Sequence, residues 1–283
     1  MRDRIFKIVL ALSAVLILLM CGAIFYSLSK GSIEALSHFG IVDFVTGDDW
    51  DPNPDSESYG AMPFIVGTLM TSFLALVFCI PFALSVALFN GEYFRGKKVA
   101  HILSTVVDLL AGIPSVIYGL WGFYTLRPLI VSLGLSQQGF GILTASIVLA
   151  IMIIPYAASL STQFISMVSN DLKEGVYSLG GTRWDVVKRV ILPNAGAAMT
   201  ASFILALGRA LGETMAVTML IGNTNNIPTS ITDTANSMAS VIANQFGESS
   251  DLRLSSLVAI GLLLFLITAV INYIGKMIVR RFN

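Results

Sequence analysis

The chain is short of charge. Only 12% of its 283 residues are Asp, Glu, Lys or Arg, against roughly 25% in ordinary soluble domains. With 55% hydrophobic residues and a mean hydropathy of +0.80, too little polar surface remains to cover a water-soluble globule. Seventeen basic and seventeen acidic side chains cancel, so net charge offers no attraction to nucleic acid. Cysteine is nearly absent. Cys21 and Cys79 both lie in apolar runs, which excludes a disulfide framework or a zinc cluster. The two histidines, His38 and His101, are far apart in sequence, and no Ser/His/Asp, Cys/His or metal-ligand constellation accompanies them. These absences exclude a hydrolase or metalloenzyme and leave an integral membrane protein.

What the chain has is long apolar runs. Lipid cannot satisfy free backbone polar groups, so spanning segments are helices of about 20 apolar residues. Six stretches qualify, at about 8–28, 64–89, 99–126, 140–165, 197–222 and 254–278. The expected fold is all-α, six transmembrane helices in one membrane domain over 1–283. The first run follows a basic start, but its 22 uncharged residues from Ile8 to Ser29 exceed the 7–15 of a signal-peptide core, so it reads as a retained helix.

Lys and Arg set the orientation. Arg2, Arg4, Lys7, Arg95, Lys97, Lys98, Lys173, Arg183, Lys188, Arg189, Lys276, Arg280 and Arg281 fall in one set of loops and tails, whereas the alternate loops hold only Lys30, Arg127 and Arg253. Both termini are therefore expected in the cytoplasm. The external segments hold ten of the seventeen acids, including Glu34, Asp43, Asp48, Asp49, Asp51, Asp55 and Glu57.

Two local patterns imitate ligand sites. Gly91 to Lys98 matches a phosphate-binding P-loop except at its last position, which needs Ser or Thr for magnesium, and no strand precedes it. Asp51, Asn53 and Asp55 open like a calcium loop, but Ser56 stands where Gly is needed and Met62 where the bidentate Glu belongs. The first reads as a basic cytoplasmic loop, the second as a solvated external one.

The segment 171–193, between the fourth and fifth runs, reads as two short helices around Gly180-Gly181. Thr182 is a plausible N-cap with Asp185 three residues on as its capping-box partner. The second helix would place Trp184, Val187 and Ile191 on one face, with Lys188 and Arg189 favourable to its dipole. Such a face must be buried, either in the lipid interface or in the groove of a soluble partner.

Glu174, Gly180, Val190, Leu192 and Pro193 fall in register with the EAA loop of ABC importer permeases: Glu-Ala-Ala, three residues, Gly, nine residues, then Ile-x-Leu-Pro. The segment resembles that loop, departing from it at Gly175, Val176 and Val190. The resemblance implies the type I ABC importer permease fold. It also implies that Glu174, Gly180, Gly181, Trp184, Leu192 and Pro193 belong to a coupling helix that docks on a separate ATPase dimer. That ATPase would hold the ATP and magnesium, so this chain needs no cofactor and does no covalent chemistry.

The fifth run carries Arg209, the only Arg in an apolar interior. Counted from Ala197 it lies roughly 18 Å deep, with Glu213 expected one turn on along the same face. Gly208 and Gly212 form a small-xxx-small pair that permits close helix approach. Central ions are costly, so they must face a partner or a water-filled path. The two side chains either neutralise each other and pin the bundle or line a path for an anion, for which guanidinium presents a matching fork. Gly112 and Pro114 should break the third run near mid-membrane, beside that path. Asp108, about two turns earlier, either pairs with a basic group or reaches cytoplasmic water.

Arg209-Ala210-Leu211-Gly212-Glu213-Thr214 with Met215-Ala216-Val217-Thr218, the stretch from Ala111 to Gly122, and Trp50-Asp51-Pro52 with Tyr59-Gly60 resemble the permease subunits of ABC phosphate importers, of the PstC rather than the PstA type. The resemblance implies a PstA-like second permease, an ATPase dimer, a periplasmic or extracellular phosphate-binding protein and phosphate as cargo, in a bacterial or archaeal cytoplasmic membrane. A permease for another oxyanion, molybdate or phosphonate, or the PstA-type subunit itself, are the alternatives. The acidic outer loop should repel free phosphate, consistent with delivery by a docking protein. The second long external segment, 223–253, suggests a helix from about Asp233 with Met238, Val241, Ile242, Gln245 and Phe246 on one face. It would serve either docking or loop packing.

Overall fold

The computed structural model describes residues 2–53 and 57–282. Asp55 of the acidic loop lies outside the described residues, as do the side chains of Arg2, Arg4 and Arg281. Five helices are long and apolar enough to cross a membrane: Phe6–Gly31, Met62–Tyr93, Ile142–Ser166, Arg183–Leu211 and Asp251–Arg280. Two further pieces, Lys98–Ala111 and Ser115–Ser132, meet the same test only when taken together, and they are bent by 94° at their junction.

In chain order, α1 (Arg2–Gly31) leads through α2 (Ile33–Phe39) and α3 (Ile41–Thr46) to a two-stranded hairpin, β1 (Trp50–Asp51) and β2 (Ser58–Tyr59), with Trp50 opposite Tyr59. Helix α4 (Met62–Leu88) widens into a π-helical turn, Phe89–Tyr93, before α5 (Lys98–Ala111). Beyond the break, α6 (Ser115–Trp121) runs on into α7 (Arg127–Ser132). Helix α8 (Ile142–Ser166) is the central rod. Helices α9 (Asn170–Ser178) and α10 (Arg183–Val186) lead into α11 (Leu192–Leu211), followed by α12 (Met215–Thr218), α13 (Met238–Gln245) and α14 (Asp251–Phe282).

Helices α4 and α8 form the heart of the bundle through small residues. Ala75, Cys79 and Ala83 of α4 share one buried cluster with Ala145, Val148, Leu149, Ala157 and Ala158 of α8. Where lipid is as apolar as the core, close backbone approach and interhelical hydrogen bonds hold helices together, at about 1 kcal/mol per bond. Ser146 Oγ donates to the Thr71 carbonyl at 3.0 Å, and the Ser161 and Ser202 hydroxyls lie 2.7 Å apart, tying α8 to α4 and to α11. By contrast, no residue in the most apolar stretch of α1 is buried by the chain. It meets α14 only near its end, where Phe25 and Phe265 lie 6.0 Å apart and Gly31 abuts Val258.

One expectation is met and two are corrected. The third run breaks where expected and is no continuous rod. Pro114 has no N–H and forces the preceding residue out of helical geometry, so α5 ends at Ala111 and α6 leaves almost at a right angle. The fifth crossing is displaced towards the N-terminus. Its helix begins at Arg183, ahead of the apolar layer, and stops at Leu211, so Leu192 and Pro193 sit inside a continuous helix instead of at a loop end. Pro193, at the start of α11, is tolerated because the wide turn Val187–Ile191 precedes it. The helix expected from about Asp233 begins at Met238, since Asp233 closes a turn by accepting from the Thr229 and Ser230 N–H groups and Ala235 is held in a bridge to Gly222. Ser237 caps it by accepting from the Ser240 N–H at 3.1 Å.

Candidate functional site

Two broken helices meet inside the apolar layer. Helix α6 packs on α12, and Gly119 makes the approach possible: a Cβ there would stand 2.7 Å from Met219 Sδ and 3.2 Å from Ala216 Cα. Breaking a helix at this depth frees carbonyls that lipid cannot satisfy. At the bend the Leu110 carbonyl accepts from the Ile113 N–H at 3.2 Å and also from Tyr118 Oη at 2.8 Å. Gly112 and Pro114 thus form the break as expected, beside the end of α11.

Arg209 lies in the last turn of α11 and is exposed. The negative end of a helix dipole favours a cation there. Its guanidinium carbon is 6.0 Å from the centre of the Tyr156 ring, and Tyr118 lies within its electrostatic reach. The expected pairing with Glu213 fails. Because α11 ends at Leu211, Glu213 is not one turn on along the same face but in the break. There its Oε1 accepts from the Ala216 N–H at 3.2 Å. Among the described residues no ion pair joins Arg209 to Glu213. Gly208 makes a close approach, to Asn272 of α14, whereas Gly212 caps the helix without touching a neighbour. The guanidinium is therefore left without a carboxylate partner among the described residues. Asp108 is exposed and borders a small polar cavity of about 180 Å³ with Asn90, Ser104, Ser159, Thr162 and Gln163.

At the basic end of the bundle, α9 and α10 form the helix pair expected over 171–193. Gly180, at φ 78°, takes the left-handed conformation that ends α9, and the Gly181 N–H returns to the Val176 carbonyl at 3.0 Å. A Cβ on Gly181 would stand 2.5 Å from Val176 Cγ1, so that position admits only glycine. Thr182 and Asp185 make the full capping box. Hydrogen bonds from the Thr182 side chain and backbone, with the charges of Arg189 and Lys188, hold the Asp185 carboxyl below its usual range.

Val187 and Ile191 of the expected apolar face are buried, but Trp184 is not among them. Val186, Val187, Val190 and Ile191 are buried with Ile165 and Ala87, whereas Trp184 is 61% exposed. Leu179, beside it in the turn, is 90% exposed, and Leu172 and Tyr177 are exposed as well. Glu174, Leu192 and Pro193 are also at the surface. One contact had no signal in the sequence: Lys173 Nζ pairs with Glu92 Oε2 at 2.5 Å, across 81 residues.

At the opposite end, Trp50 Nε1 and Arg253 Nη2 both donate to Gln245 Oε1, at 3.1 and 3.2 Å. Met238 and Val241 are buried beneath them with Phe44, Tyr59 and Phe64. The Met238 N–H donates to Thr68 Oγ1 at 2.9 Å, latching the 223–253 segment to α4.

Residues 79–283 match the family of binding-protein-dependent transport system inner membrane components. The chain is 40% identical to the phosphate transport system permease protein PstC of Mesorhizobium japonicum, covering 99% of this chain and 91% of that protein. It is 41% identical to PstC of Pasteurella multocida, covering 95% and 88%. Among solved structures it resembles a bacterial alginate ABC transporter at TM-score 0.66 and 20% identity, covering 96% of this chain and 94% of that one. The MetNI methionine ABC transporter matches at TM-score 0.59 and 19% identity over 79% and 94%. These likenesses and the two broken helices agree on a type I importer architecture, and the chain belongs to the family of binding-protein-dependent transport system inner membrane components, among its PstC-type permeases.

Proposed function

We propose that this chain is the permease subunit of an ATP-driven phosphate importer and forms half of its translocation path. It pairs with a second, PstA-like permease, and a phosphate-loaded binding protein docks on the acidic outer loops. The coupling segment 171–193 seats on an ATPase dimer, through Trp184, Leu179 and the backbone around Gly180 and Gly181. ATP and magnesium belong to that dimer, and this chain carries no cofactor of its own. The protein sits in a cytoplasmic membrane with both termini inside, because the basic loops 89–98 and 170–191 share one end of the bundle.

The observation that carries this reading is Arg209, exposed at the end of a helix that stops inside the apolar layer. A guanidinium there needs a counter-charge, and this chain offers no carboxylate within ion-pair distance among its described residues. An oxyanion crossing at the subunit interface supplies it transiently. Glu213, held to the Ala216 amide, keeps negative charge close without quenching the guanidinium, so the ion is passed on and not trapped.

Reconstitution with the second permease, the ATPase and the binding protein tests the proposal. Labelled phosphate should accumulate in vesicles supplied with ATP, and molybdate and sulfate should not. Accumulation of molybdate or phosphonate in its place would assign another oxyanion, and no uptake of any would reject the path.

A further inference from the structure

We propose that the buried Glu92–Lys173 ion pair is a strut that carries movement of the coupling segment into α5, the helix with the Gly112–Pro114 break. The inference rests on the importer reading above. Lys173 is 6% exposed and is the one charged residue buried among the side chains described. Its side chain and that of Glu92 are both nearly sealed from solvent. A buried pair of this kind is strongly disfavoured when either partner is removed, because the other charge is left uncompensated.

The pair joins two parts that few other contacts connect. Helix α9 turns Leu172 and Tyr177 outward and reaches the inner cluster through Val176. Lys173 is its second anchor. Glu92 sits in the wide turn after α4, which is wedged against α8: a Cβ on Gly91 would lie 2.8 Å from Ile165 Cγ2. Two residues before Glu92, the Asn90 Nδ2 donates to Ser104 Oγ of α5 at 3.2 Å. Helix α5 buries only Ala100 and Val107; it packs along α8, and this turn is a second tie, at the basic end. A displacement of α9 is thereby handed through Lys173, Glu92 and Asn90 to α5, whose far end bends beside Arg209. Both residues are positioning residues: neither touches the cargo.

The test uses the reconstituted complex, with anion imported per ATP hydrolysed as the readout. Glu92→Gln and Lys173→Met should each leave the ATPase bound and hydrolysing, while import per ATP falls about tenfold, the size expected for loss of one coupling contact. The exchange Glu92→Lys with Lys173→Glu should recover import to within about threefold. A cysteine at each position in a Cys21→Ser background, bridged by a short bis-maleimide, replaces the strut covalently and should restore import even if a single variant assembles poorly. Single variants with full import per ATP overturn the proposal, as does a bridged complex that hydrolyses ATP without importing. If the unaltered complex imports molybdate and not phosphate, the phosphate reading fails while the strut is judged on molybdate.

Discussion

Arg209 and Glu213 stand on either side of a helix end and do not pair: one closes α11, and the other turns its Oε1 to the Ala216 N–H at 3.2 Å. Their charges therefore act separately, and substitutions should separate them. Arg209→Ala should reduce phosphate uptake by at least about 30-fold, the loss expected for a charge-assisted, desolvated contact, with ATPase co-purification unchanged. Arg209→Lys keeps the charge but loses the planar fork and should recover only part of the uptake. Glu213→Gln keeps an acceptor for Ala216 and should leave thermal stability unaltered while changing uptake. If Arg209→Ala disperses the complex, the residue is structural.

The break at Gly112 and Pro114 should respond to its two residues differently. A Cβ at Gly112 meets nothing closer than 3.5 Å, so Gly112→Ala should fold and transport. Pro114→Ala restores an N–H and frees Ile113 to become helical, which lets α5 continue and should abolish uptake. Gly119→Val drives side-chain atoms into Met219 and the α12 backbone and should lower stability by about 1–3 kcal/mol. Thermal unfolding of the purified complex checks the last, vesicle uptake the first two.

Exposure decides the outcome along the coupling segment. Trp184→Ala and Leu179→Ala remove exposed surface and should leave melting of the isolated subunit unchanged while weakening ATPase co-purification. Ile191→Ala removes a fully buried side chain and should cost about 2–5 kcal/mol. A Trp184→Ala complex that co-purifies and couples normally would move the docking site elsewhere.

Acid should undo the α10 cap. The Asp185 carboxyl is held below its usual range by the Thr182 hydrogen bonds. A depressed folded value stabilises the cap above the unfolded value and loses that contribution as pH falls through the folded one. Hydrogen exchange across 182–186, corrected for intrinsic rates, should be flat from neutral pH down to about 5 and rise below about 4. Asp185→Ala should show the fast exchange already at neutral pH.

The sequence makes visible whatever a local rule controls. Apolar length marks the crossings, Pro114 the break, and Thr182 with Asp185 the cap, because each depends on residues within a few positions. The end of α11 is hidden because the run 197–222 keeps the length of a crossing across Gly212, while the break there shows only in the fold, where α12 packs on α6. Periodicity groups Trp184 with Val187 and Ile191, yet the wide turn Val187–Ile191 shifts the register after it and leaves Trp184 exposed. Glu92 and Lys173 looked like ordinary loop charges, and only the fold brings them together.

Helix α1 leaves its apolar run wholly to the surroundings, touching the rest of the chain only towards its final turns. Within this chain no groove holds it, so bilayer thickness and Lys7 and Lys30 at its two ends bear on its slant in the membrane. Exchanging Leu for Ile or Val between residues 8 and 20 would go unnoticed by the folded bundle, whereas a thinner membrane would tip this helix first.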